Sequence, residues 1–225
     1  MKRILIINPN SSAGMTRAIQ DFAKVFVGNR AEVVTALTVG APEFIETYAD
    51  ESQAMTGMVQ LIKDNQEDYD GFVIACHSDP NLDLMKELSL KPVVGIGEAS
   101  MRSACLIGDR FTVLSPTLGS IPNKKTLVSK YNLLGQLSSV RALGTLCAKQ
   151  TQLDLCEKVS RDAIEQDSAE VIVLGCADMA GMSFELQDRL GIPVVDGIAS
   201  ALSILLGLID QGLSISKISR YRSHA

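Results

Sequence analysis

A chain of 225 residues is long enough to bury a sizeable core, as one compact unit or as two lobes of about 110 residues each. Its 46% hydrophobic and 21% charged residues are those of an ordinary folded, soluble protein. Aromatic residues make up 4% and Trp is absent, which argues against a base-stacking platform, and a net charge of -5 leaves no basic footprint for nucleic acid or an anionic membrane.

In chain order the pattern alternates. The apolar run 4–7 predicts a strand that stops at Asn8-Pro9, too short for a signal-peptide core. A helix over 12–27 comes next, then a strand over 32–37, a helix over 51–65, a strand over 72–75, a helix over 81–88 and a strand over 93–95. The second half gives strands over 112–114, 171–174 and 194–195, with helices over 151–166 and 197–211. The apolar stretch 202–209 is far short of a membrane span. Strands alternating with helices predict βαβ units in a mainly parallel sheet, covered on both faces.

The chain also repeats itself. Arg3 to Asn10 matches Arg110 to Thr117 at an offset of 107, each a strand followed by x-Pro and a polar residue. Gly71 to Cys76 matches Glu170 to Cys176 at an offset of 100 with one slip, and Pro92-Val93-Val94 recurs as Pro193-Val194-Val195. Three landmarks in one order predict two related α/β lobes. Ligands of a parallel α/β sheet bind beyond the carboxyl ends of its strands, where Asn10 and Cys76 fall in one lobe and Thr117 and Cys176 in the other. If a pseudo-twofold axis relates the lobes, the two cysteines approach one ligand from opposite sides, the arrangement a stereochemical inversion at carbon requires.

Five cysteines without framework spacing, no CxxC pair and only two histidines (His77 and His224) predict reduced cytosolic thiols and no zinc site. Cys105, Cys147 and Cys156 read as small buried hydrophobes. Cys76 and Cys176 each end a strand and precede a predicted helix, with Asp79 and Asp178 as capping residues and Pro80 at a first helical position. The positive end of a helix and its N–H groups favour a thiolate and can hold a carboxylate or imide oxygen. One thiolate could then remove a proton while the opposite thiol returns one on the other face, with the N–H donors as an oxyanion hole. No pyridoxal lysine is needed. His77 beside Cys76 raises a Cys–His hydrolase, but sequence neighbours after a strand diverge; Gly97-Glu98-Ala99 is too little glycine for a nucleotide site.

Five ordered motifs resemble the Asp/Glu/hydantoin racemase superfamily, and hydantoin and allantoin racemases most closely. They are Asn8-Pro9-Asn10-Ser11, the Gly40 to Glu51 segment with Pro42, Ile45, Glu46, Asp50 and Glu51, Ala75-Cys76 with Asp79-Pro80, Gly95-Ile96-Gly97-Glu98-Ala99, and Leu174-Gly175-Cys176-Ala177 with Met179. The resemblance runs from residue 4 to about residue 200. It implies two similar α/β lobes related by a pseudo-twofold, each a mainly parallel sheet flanked by helices, with an active site in the cleft between them. The first lobe would be 1–96 plus about 212–225 and the second 97–211. It further implies no cofactor, no metal, catalytic Cys76 and Cys176, and a small-molecule substrate held near Asn10, Ser11, Ile45, His77, Ser78, Thr117, Ala177 and Asp178. The protein is expected in the cytoplasm, bound neither to nucleic acid nor to membrane, and a homo-oligomer is left open. The sequence departs from the usual pattern at His77 and Ser78, at Asn81 where Gly is expected, and at Asp178 where Gly is common.

The first reading is a racemase of a 5-substituted hydantoin or allantoin-like ring, whose C–H lies between a carbonyl and a nitrogen. An aspartate or glutamate racemase is the rival, although Glu43, Glu46, Asp50 and Glu51 offer no cationic clamp beyond Arg17 or His77. A cis–trans isomerase or decarboxylase on the same scaffold stays open, as does a non-catalytic two-lobed binding protein. The last would be indifferent to loss of either cysteine.

Overall fold

The computed structural model describes residues 1–144 and 149–222. Cys147 and His224 lie outside the described residues. The chain divides into two compact units, residues 1–96 with 201–225 and residues 97–200.

In the first unit four parallel strands lie in the order β2-β1-β3-β4: β1 (Lys2–Asn8), β2 (Ala31–Leu37), β3 (Gly71–Ile74) and β4 (Val93–Gly95). Central β1 and β3 are buried on both faces, which is why they read as unbroken apolar runs. Helix α1 (Ala13–Val27) buries Ile19, Ala23 and Val27, an i, i+4, i+8 stripe, and Ser12 caps it by accepting the Met15 N–H. Helix α2 (Tyr48–Asn65) buries Ala54, Met58 and Ile62 in the same way. It starts three residues before the predicted position, because Thr47 and Asp50 form a capping box. The donors of Thr47 and Glu46 hold the Asp50 carboxyl below its ordinary value. Helix α3 (Leu82–Leu88) links β3 to β4, and α4 (Ile96–Ile107) continues from β4 with no intervening loop and carries the chain into the second unit.

The second unit repeats the plan. Strands β5 (Phe111–Ser115), β6 (Leu137–Ala142), β7 (Val171–Leu174) and β8 (Val194–Val195) lie parallel in the order β6-β5-β7-β8. Its helices are α5 (Ile121–Lys130), α6 (Lys149–Asp167) and α7 (Ser183–Leu190), while α8 (Gly197–Asp210) starts in this unit and from Ala201 onward belongs to the first. The fold class is therefore α/β, two four-stranded parallel sheets flanked by helices.

The ladders show the repeat at residue level. Ile4 pairs with Gly71 and Ile7 with Ile74; Phe111 pairs with Val171 and Leu114 with Leu174. The offset is 107 on one strand and 100 on the other, so the alignment slip assumed from sequence does not exist. The connecting bonds repeat too: the Ala75 N–H donates to Ile7 O and the Gly175 N–H to Leu114 O, at 2.8 and 2.9 Å.

Strand β6 and helices α4, α5 and α7 are elements that sequence periodicity does not reveal. Among the described residues no helix is long and apolar enough to cross a membrane, and no group of three or more His, Cys, Asp or Glu could hold a metal ion.

Candidate active site

Each sheet delivers one cysteine beyond the carboxyl end of an inner strand. Cys76 stands two residues after β3 and Cys176 two residues after β7, and both are half-buried. Cys76 packs against the hydrophobic cluster that includes Leu5, Ile7, Ala41, Ile45 and Ile74. Cys176 packs against the cluster of Leu114, Leu143, Leu174 and Met179.

The chain then makes two turns with corresponding hydrogen bonds, although Asp79 has a positive φ of 48° and its counterpart Met179 closes a 3₁₀ turn. Asp79 N–H donates to Cys76 O at 3.0 Å, and Met179 N–H to Cys176 O at 3.1 Å. Leu82 N–H donates to Asp79 O, and Met182 N–H to Met179 O. Residues 71–80 and 171–180 share one burial pattern almost to the end, with positions 76 and 78 and their counterparts 176 and 178 more open than their neighbours. Asn81 and Gly181 both adopt positive φ, 55° and 84°. Asn tolerates this left-handed region better than other non-glycine residues, which explains Asn81 where Gly is expected.

The helices begin later than the sequence suggests. Asp79 does not cap α3; Asn81 stands at that position with no side-chain capping bond, and Pro80 lies in the turn. Asp178 lies in a single 3₁₀ turn, Ala177–Met179, and α7 starts at Ser183. Each thiol is therefore succeeded by a turn rather than by a helix terminus.

Ser78 is a hydrogen-bond partner of the first thiol: its Oγ lies 3.3 Å from Cys76 Sγ. His77 is 1% exposed and Ala177, its counterpart, is also buried; Asp178 is half-buried, as Ser78 is. Asn10 is 5% exposed, and its Oδ1 accepts from Asn8 Nδ2 at 2.7 Å and from Ser12 N–H at 3.0 Å. That oxygen shapes the loop after β1. Ser11, half-buried, donates its N–H to Pro42 O. In the second unit Thr117 Oγ1 accepts from Ser120 N–H at 3.3 Å, and Ser115 and Ser120 share a short hydroxyl hydrogen bond.

Three groups near these strand ends escape a sequence reading. Asn8 ties the first loop to Thr16 at 2.9 Å. Lys124, in the first turn of α5, is a lysine only 6% exposed, and its N–H donates to Ser120 O as Thr16 N–H does to Ser12 O. Asp196, 4% exposed, accepts from the N–H groups of Gly181, Ile198 and Ala199. Burial pushes its carboxyl above the ordinary value, against those three donors. Of the other cysteines, Cys156 is buried in the second unit's core, while Cys105 is half-buried and desolvation raises its thiol.

Comparison with known proteins gives one consistent result. The family described as Asp/Glu/Hydantoin racemase matches residues 4–205. The hydantoin racemase of Pseudomonas sp. (strain NS671) is 33% identical over 98% of this chain and 91% of its own length. That of Rhizobium meliloti is 34% identical over 97% and 93%. Among solved structures, the allantoin racemase from Klebsiella pneumoniae matches with a TM-score of 0.95 at 28% identity, covering 100% of this chain and 94% of that one.

Proposed function

The chain belongs to the Asp/Glu/hydantoin racemase family and is an isomerase of the racemase class, and from that premise we propose that it inverts the stereocentre of a 5-substituted hydantoin or allantoin-like ring with Cys76 and Cys176 as paired bases. The observation that carries this reading is the equivalence of the two thiols: same strand position, corresponding hydrogen bonds in the succeeding turn, same half-burial in two repeated units.

The chemistry is a 1,1-proton transfer. The thiolate of one cysteine takes the ring C–H proton, and the electron pair left behind delocalises into the adjacent carbonyl. The thiol of the other cysteine then delivers its proton to the opposite face. Each turnover interchanges thiol and thiolate, and exchange with solvent restores them. Backbone N–H groups of the turns after the cysteines would receive the enolate oxygen, placed in advance and so stronger than donors in water. A thiol suits the task because its ordinary pKa of about 8.5 lies close to working pH. The ring C–H, flanked by carbonyl and nitrogen, needs less stabilisation than that of a free amino acid, and no cofactor is required. Asn10, Ser11, Ile45, His77, Ser78, Thr117, Ala177 and Asp178 are proposed to surround the ring.

The test is incubation of reduced protein in D₂O with single enantiomers of 5-substituted hydantoins, allantoin, aspartate and glutamate, with enzyme-free blanks for spontaneous hydantoin racemisation. NMR reads deuterium at the stereocentre and chiral chromatography reads inversion, for wild type, Cys76→Ser and Cys176→Ser. Inversion of a hydantoin or of allantoin, lost in each variant, is expected. Inversion surviving in both variants would sink the two-base mechanism, and inversion of aspartate or glutamate alone would replace the substrate.

A further inference from the structure

Two buried carboxylates stand beside the cysteine turns, and they sit at non-equivalent positions of the repeat. Val73 pairs with Val94 and Val173 with Val195, so Gly95 and Asp196 are the next residues on equivalent strands. Likewise Asp79 and Met179 are equivalent in the turns beyond the cysteines.

In the first unit the carboxylate belongs to the turn. Asp79 is 3% exposed, and a Cβ built on Gly95 would lie 2.2 Å from one of its carboxylate oxygens and 2.5 Å from its carboxyl carbon. The carboxylate therefore rests on the bare backbone at the end of β4, and any side chain at 95 would evict it. In the second unit the carboxylate belongs to the strand end. Asp196 Oδ2 accepts the Gly181 N–H of the turn at 2.8 Å, while Oδ1 accepts from Ile198 at 2.8 Å and Ala199 at 3.1 Å in the first turn of α8. One unit reaches from turn to strand and the other from strand to turn. The product is the same: a buried carboxyl group at the junction of the cysteine turn and the neighbouring strand. For Asp196 the buried carboxyl needs its three N–H donors, which ties the Gly181 turn to the strand end; for Asp79 the tie is the close seat of the carboxyl on Gly95.

We infer that Asp79 and Asp196 are positioning residues for the two cysteines, each fixing the turn of its own unit against the adjacent strand end. This rests on the two-cysteine reading above. Proton transfer between a thiol and a ring carbon needs sub-ångström placement, and a misplacement of about 1 Å can cost on the order of a hundredfold in rate. Neither carboxylate would touch the substrate; each acts through the backbone that carries the thiol and the N–H donors.

The experiment compares wild type, Asp79→Asn, Asp196→Asn and Gly95→Ala. Asp196→Asn keeps one oxygen for α8 but can set an amide N–H against the Gly181 N–H. Gly95→Ala displaces the Asp79 carboxylate without touching residue 79. Each variant is checked by circular dichroism and thermal unfolding, then treated with iodoacetamide and its cysteines followed separately by peptide mass spectrometry. Alkylation of Cys176 should quicken by about threefold or more in Asp196→Asn with Cys76 unchanged, and the reverse in Asp79→Asn and Gly95→Ala, as the loosened turn exposes the thiol. With 5-benzylhydantoin, kcat should fall by about tenfold or more while KM stays within about twofold. Equal change at both thiols, or change at neither, overturns the inference. The alkylation pattern does not depend on turnover, so a selective pattern supports positioning even where a failure of turnover to track it would count against the paired-base reading. If Asp79→Asn fails to fold, Gly95→Ala alone decides the first unit.

Discussion

Gly175→Ala is the sharpest test of how the second sheet presents Cys176. Gly175 N–H donates to Leu114 O at 2.9 Å, and a Cβ at 175 would lie 2.2 Å from that same carbonyl oxygen and 2.9 Å from Val113 Cγ1. The obstacle is backbone, so no side-chain rotation relieves it. Overpacking of this kind costs about 1–3 kcal/mol, and loss of the strand-end hydrogen bond adds about 1 kcal/mol. A sum of about 2–4 kcal/mol in a protein of this size lowers Tm by about 5–15 °C. Ala75, the counterpart in the first unit, already carries the methyl and is buried, so Ala75→Gly should cost only about 0.5–1 kcal/mol. Urea unfolding monitored by circular dichroism gives both values, and the racemisation assay reports whether Cys176 has moved. If Gly175→Ala unfolds at the wild-type urea concentration, the close approach at Leu114 does not govern this strand end and the geometric reasoning fails.

Other outcomes can be checked in the same assays. Asp167 accepts from Arg141 through both oxygens, at 2.5 and 2.9 Å, and from Ser139 at 2.5 Å, and the Arg141 hydrogen bonds hold its carboxyl below the ordinary 3.8. A lowered carboxyl stabilises the fold above the unfolded-state value and loses that contribution as pH falls through the folded-state value, so Asp167→Asn should cost about 1–2 kcal/mol at pH 7 and progressively less below about pH 4. A constant difference from pH 7 to pH 3 in urea titrations would rule this out. At Asn81, with φ 55° and its Nδ2 donating to Glu51 O at 2.8 Å, replacement by Gly trades a lost hydrogen bond for relief of the left-handed backbone and should shift stability by less than about 0.5 kcal/mol. Asn81→Val gives up both and should cost about 2 kcal/mol or more, measured by thermal unfolding. Ile45→Ala removes a side chain from the cluster that backs Cys76 and should cost about 2–4 kcal/mol in urea unfolding.

The features that the sequence discloses and those it hides divide along physical lines. Inner strands buried on both faces leave continuous apolar runs, so β1, β3, β5 and β7 are readable, and with them the repeat that singles out Cys76 and Cys176. Strand β6 is hidden because, at a sheet edge, its Leu-Ser-Ser-Val-Arg-Ala sequence fully buries only Val140, and the polar set of Ser139, Arg141 and Asp167 helps to hold it. Helix α4 is hidden because it starts at the residue after β4, leaving no loop to mark the change of period. At the candidate site, composition marks the thiols but not their supports. Asp79 reads as a helix cap, since Asp before Pro is typical of a helix start, yet its carboxylate rests on Gly95 across the strand end. Asp196 is harder still: its counterpart is that same glycine, so comparing the two halves of the chain finds no repeated carboxylate at either position. The repeat keeps the junction but not the residue that fills it. One-dimensional self-comparison therefore finds the paired cysteines and passes over their supports, which emerge only when each sheet is folded and one strand end is seen beside the next.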